Sequence, residues 1–105
     1  MSSTRTMSIF AIFYSAQSLS IECVGVPARV KMGEYSNQDT FVIVHIEGKD
    51  YRLGDPSDDK TKARLSLVQT ALVTDKNTML RFYNIDSCEV ASASHAVPNS
   101  VQLLK

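Results

Sequence analysis

Apolar and polar residues alternate with the period of a strand in several stretches of this chain, and recur with the period of a helix in one. The firmest alternation is residues 40–47, TFVIVHIE, β-branched or aromatic nearly throughout. Val42, Val44 and Ile46 face one way and Phe41, Ile43 and His45 the other, so both sides of this strand need cover. Residues 21–30 read as an earlier strand, with Val24, Val26 and Val30 on its apolar side and Pro27 placing it at an edge or a bulge. Glu47-Gly48-Lys49-Asp50 has the make-up of a tight hairpin turn, and Tyr51-Arg52-Leu53 returns as the partner strand. Residues 79–83 (MLRFY) and 101–104 (VQLL) supply two more strands. Between them, Ala91-Ser92-Ala93-Ser94 reads as a connecting run of small residues.

The helical stretch begins at Asp55-Pro56. A carboxylate at the N-cap accepts a bond from an orphan amide, and proline at the first helical position gives up an amide the helix does not need. Asp58 and Asp59 follow in the first turn, where the helix dipole favours them. Leu65, Leu67, Val68, Ala71 and Leu72 then cover a broad arc opposite Lys62, Ser66, Gln69 and Thr70. The arc is wider than one sheet contact requires. It fits a helix sunk into its own core, or one that also packs on a neighbouring subunit. Asp75-Lys76-Asn77 ends it with turn chemistry. The order is strand, strand, strand, helix, strand, strand, an α+β domain with one helix over a sheet.

A chain of 105 residues makes one domain with a modest core. Its 11 Lys and Arg balance 11 Asp and Glu, and this neutrality disfavours nucleic-acid binding by counterion release. No apolar run approaches the ~20 residues of a membrane span. Residues 1–20 differ from the rest: Arg5, a short apolar core from Met7 to Tyr14, then Ser15-Ala16-Gln17-Ser18, the outline of a signal peptide cut after Ser18. The competing reading is an N-terminal strand or helix of the fold. The expected division is residues 1–20 as signal peptide or extension and residues 21–105 as the domain, secreted or periplasmic.

Cys23 and Cys88, in a chain with the outline of an export signal, suggest one disulfide. Closing a loop of about 65 residues would contribute roughly 4 kcal/mol. Two buried free thiols are the alternative. A metal site with His45 and His95 lacks the close ligand spacing of a zinc site, so no metal and no cofactor are expected. His45 on a strand has no visible nucleophile to serve. Ser92, Ser94 and His95 beside Asp86 lack the strand-turn-helix elbow of a nucleophile. The carboxylates of Asp55-Pro56-Ser57-Asp58-Asp59 lack the spacing and glycine of a calcium loop, and helix capping accounts for them. Enzyme is the least favoured class.

Several of these pieces form a known set. Cys23, the run Tyr35-Ser36-Asn37-Gln38-Asp39-Thr40-Phe41-Val42-Ile43-Val44, the hairpin at Gly48-Lys49, the helix Leu65-Ser66-Leu67-Val68-Gln69-Thr70-Ala71, the strand Met79-Leu80-Arg81-Phe82 and Cys88 resemble the cell-binding B subunits of the Shiga and cholera toxin type. The order is also similar to that of a broader group of small exported bacterial proteins with a TALV…K helix end before a strand and a cysteine. The resemblance implies a five-stranded OB-like Greek-key barrel with one helix between its third and fourth strands and one disulfide. It further implies a ring-shaped homo-pentamer that binds a cell-surface glycan or a partner protein. By that likeness the ligand loop is Tyr35, Asn37, Gln38 and Asp39, an aromatic platform beside amide and carboxylate groups; a solvated turn is the alternative reading of the same residues. The pattern departs at Gln38 and Val42, which stand where an acid and a hydroxyl are expected, and no tryptophan is present to stack on sugar. A monomeric periplasmic OB-like domain with a structural or accessory role is the competing expectation.

Overall fold

The computed structural model describes residues 19–34 and 40–105. In chain order the elements are β1 (Ser20–Gly25), β2 (Pro27–Glu34), β3 (Thr40–Ile46), β4 (Lys49–Gly54), α1 (Asp59–Thr74), β5 (Thr78–Tyr83), α2 (Cys88–Ala93) and β6 (Ser100–Leu103). They form two antiparallel three-stranded sheets, ordered β1-β5-β6 and β2-β3-β4. The α+β class is as expected. The five-stranded OB-like Greek-key barrel is not: among the described residues there are six strands in two sheets, and β4 and β6 are not hydrogen-bonded to each other.

The extra strand comes from residues 20–34, which cross from one sheet to the other within two residues. Gly25 pairs with Thr78 in the first sheet, while Pro27 pairs with Ile46 in the second. Pro27 has no amide to give a ladder, and the register shifts between it and Arg29. Gly25 permits the crossing because a Cβ there would meet the Ile46 side chain at 2.6 Å. The bulge expected at Pro27 is present.

β3 is buried on both faces along most of its length, and its inward side meets β4 at Tyr51 and Leu53. These residues join Cys23, Leu80 and Phe82 of the other sheet in one core, with Val68 of α1 and Ala91 of α2. The rings of Tyr51 and Phe82 stack at 5.9 Å across the two sheets. The β3–β4 turn is two residues long, with φ of 52° at Glu47 and 78° at Gly48, and Ile46 pairs with Lys49. Positive φ at both central positions suits the twist of a hairpin.

α1 starts three residues later than Asp55-Pro56 suggests. Asp58 is the N-cap, accepting from the Lys60 amide, whereas the Asp55 carboxylate accepts from the Ser57 amide and hydroxyl in the preceding turn. Asp75 at φ 55° closes the helix, its amide donating to the Ala71 carbonyl. The buried stripe is narrow, Thr61, Val68 and Ala71, with Leu65 and Leu72 half-buried. Leu67 and Val73 are exposed, so the helix lies against β2, β4 and β6 and is not sunk into the core.

The run of small residues after Cys88 is a second helix. Ser87 caps α2 by accepting from the Val90 amide, and Ala91 enters the core with no exposed surface. Cys88 and Cys23 are disulfide-bonded, with their Cα atoms 5.9 Å apart. The Ser92 hydroxyl donates to the Asp50 carbonyl at 2.7 Å. α2 therefore clasps β1 of one sheet and β4 of the other.

Candidate functional site

The ligand loop expected from the resemblance, Tyr35, Asn37, Gln38 and Asp39, lies outside the described residues, as does the leader-like segment up to residue 18. What the structure describes is the sheet that this loop joins, where β2 ends and β3 begins.

Strand alternation and register build the outward face of that sheet. Arg29 lies opposite His45 and His45 opposite Asp50, one row across all three strands. Lys31, Ile43 and Arg52 form the next row. The order follows from the two-residue turn at Glu47–Gly48, which fixes the β3–β4 register and so sets His45 beside Asp50. His45 Nδ1 and Asp50 Oδ1 are 2.7 Å apart, and the Arg29 guanidinium reaches the same oxygen at 3.9 Å. The His45 hydrogen bond holds the Asp50 carboxyl below its usual range; desolvation works against it, and the charges of His45, Lys31 and Arg29 add to it. The Asp50 carboxylate thus holds His45 and Arg29 on a face that also carries Lys31 and Arg52. The other sheet differs: there Arg81 sits opposite Glu22 and is paired with it.

A groove of about 250 Å³ runs along the opposite side of β2, between Val30, Met32 and Val42 of the sheet and Thr61, Leu65 and Gln69 of α1. Met32 is 67% exposed at its edge. Gly54, with φ 132°, presses its backbone against the groove residue Thr61; a Cβ there would lie 2.3 Å from the hydroxyl. That hydroxyl is buried and has no hydrogen-bond partner.

The remaining candidates are not gathered into one centre. Asp50 turns His45 into a held, half-buried histidine of the cationic row. The Ser92 hydroxyl is committed to the Asp50 carbonyl, and Ser94 donates back to Val90 within its own helix. His95, exposed at φ 59°, follows the end of α2. Asp55 and Asp58 are occupied in the turn and cap of α1, and among the described residues no cluster of three or more His, Cys, Asp or Glu converges. No helix among the described residues is long and apolar enough to cross a membrane.

The grouping of Arg29, Lys31 and Arg52 around Asp50 is not singled out by sequence alone. Its signal is there: alternation sets Arg29 with Lys31 and Asp50 with Arg52, and the hairpin turn fixes which residues oppose. Comparison of the chain with protein-family models, with curated proteins and with solved structures gives no match in any of the three. The chemistry of this surface therefore rests on the chain's own residues.

Proposed function

We propose that this chain is a non-catalytic, exported binding module with an open, OB-like arrangement, related in manner to the toxin B subunits and recognising a cell-surface glycan or a partner protein. The observation that carries the reading is the Cys23–Cys88 disulfide, which ties β1 to α2 and suits an oxidising compartment. The bent strand pair β1–β2 supports the OB-like part, since it feeds both sheets, pairs at its start with β5, and is followed by a helix between β4 and β5. The non-catalytic part of the reading is supported by the commitment of His45 to Asp50 and of the Ser92 hydroxyl to the Asp50 carbonyl.

Assembly into a ring is favoured by the exposed apolar side chains of Val73 on α1, Met32 on β2 and Leu103 on β6. A monomeric accessory domain is the second reading, favoured by Pro27, Arg29 and Lys31 on the edge strand β2, chemistry that discourages strand addition. Light scattering of the oxidised protein on a sizing column separates the two. A mass about five times that of one chain supports the ring, and a single-chain mass removes it. A glycan array tests the binding itself.

A further inference from the structure

We infer that residues 85–97, which carry α2, are a strap across the two sheets that a dithiol reductant releases: reducing the Cys23–Cys88 bond opens this segment and bares Tyr51 while both sheets stay folded, whatever the domain binds. The strap is pinned at each end by contacts that do not involve the bond. At its start the Asn84 amide donates to the Leu19 carbonyl at 2.8 Å, with Asn84 at φ 62°. At its end Pro98 is fully buried, the Asn99 amide donates to the Arg81 carbonyl and the Asn99 side chain accepts from the Tyr83 amide.

Between those pins the strap is held lightly. Besides the disulfide, the Ser92 hydroxyl reaches the Asp50 carbonyl, and Lys49 pairs with Glu89, whose side chain is 75% exposed. Ala91 is the buried side chain of α2, and Ile85 and Ala96 pack on the core half-buried from its flanks. A hydrogen bond or an exposed ion pair contributes far less than a cross-link closing a long loop. A helix of six residues does not persist in water once undocked. Beneath it lies β4. Burial first and the Glu89 charge second raise the Tyr51 hydroxyl above its ordinary pKa, which sets α2 over that ring where it stacks on Phe82.

The two sulfurs are not equally open. Cys23 is 3% exposed within β1, whereas Cys88 is half-buried in the first turn of α2, so Cys88 Sγ is the atom attacked. A thiolate of the dithiol bonds to it, the Sγ–Sγ bond breaks, and Cys23 leaves as a thiolate and takes up a proton. The second thiol of the reductant then attacks its own sulfur in the mixed disulfide and frees Cys88. Two electrons and two protons have passed to the protein, and the reductant is left as a cyclic disulfide. β1 keeps its backbone pairing with β5 from Ser20 to Gly25 throughout, since that ladder does not depend on the bond.

Native-state hydrogen exchange followed by NMR on oxidised, dithiothreitol-reduced and reoxidised protein tests the strap. The reporters are the amides of Ala91, Ser94 and Ala96, bonded to the carbonyls of Ser87, Val90 and Ala91. The references are Val44 and Leu80 in the central strands of the two sheets. Reduction should speed the reporters at least about tenfold. In the reduced protein their protection should lie at least about tenfold below that of Val44 and Leu80, and should not change with low concentrations of urea, as for a local opening. Fluorescence of anilinonaphthalene sulfonate should rise at least about twofold on reduction, and reoxidation should reverse both effects. Reporters that exchange equally fast in the oxidised and reduced protein would overturn the inference. So would reporters that match Val44 and Leu80 in the reduced protein, a reduced chain that loses its far-ultraviolet strand signal, or a dye signal that does not rise.

Discussion

Reducing the Cys23–Cys88 bond should take away a large share of this domain's stability. The bond closes a loop between residues 65 apart in sequence. In the chain-entropy model a loop of that length contributes about 4 kcal/mol at 25 °C. A small domain has roughly 5–15 kcal/mol in all. The other ties of α2 are slight: the Ser92 hydroxyl on the Asp50 carbonyl, an ion pair of Lys49 with the largely exposed Glu89 at 3.6 Å, and the Ala91 methyl in the core. An exposed ion pair adds about 0–1 kcal/mol. The assay is a urea titration followed by far-ultraviolet circular dichroism, with and without reductant, so that the sequence is unchanged and no cavity is made. With a slope near 2 kcal/mol per molar urea, the midpoint should fall by about 2 M. Cys23→Ala with Cys88→Ala should fall at least as far, because Cys23 is 3% exposed and its truncation also opens the core. A loss below about 1 kcal/mol at unchanged slope would refute the reasoning, since the clasp would then be held by its non-covalent contacts.

Three further outcomes follow from the geometry. Gly54→Ala places a Cβ against the Thr61 hydroxyl at φ 132°, and should cost about 3 kcal/mol, read as a drop in melting temperature of about 10–25 °C. Glu47→Asn puts a residue that tolerates the left-handed region at φ 52° and should raise the stability of the hairpin by a few tenths of a kcal/mol to about 1 kcal/mol, measured by the same urea titration. Asp50 is held below its ordinary pKa in the fold, so the unfolded chain binds that proton more readily, and its stabilising contribution, present above pH 3.8, fades as pH falls below it. Asp50→Asn should therefore melt with a shallower pH dependence on the acid side, and an unchanged slope would show that the His45 contact carries no stability.

The strands with steady alternation were legible because they are long enough to show a period and are bounded by turn residues. Residues 40–46 and the Glu47–Gly48 turn are the clearest cases, and the two cysteines are joined in the one disulfide expected. What escaped was decided by tertiary contacts. α2 has six residues, too few for a helical period, and is held by Ser87, Ala91 and the disulfide. Asp55 and Asp58 both have cap chemistry, and the choice fell to Asp58 because Asp55 is engaged by Ser57. The apolar arc of α1 promised deeper burial than a helix lying over sheet edges can receive, which left Leu67 and Val73 exposed. The cationic row was half legible. Its residues alternate as strands require, but its meaning appears only when three strands stand in register.

The proposed function is binding of a cell-surface glycan, or failing that of a partner protein, by the oxidised domain. A glycan array probed with the purified, disulfide-bonded protein tests it most directly. The expected result is retention on a restricted set of glycans. A blank array from folded, oxidised protein would contradict the glycan reading and leave the partner-protein one.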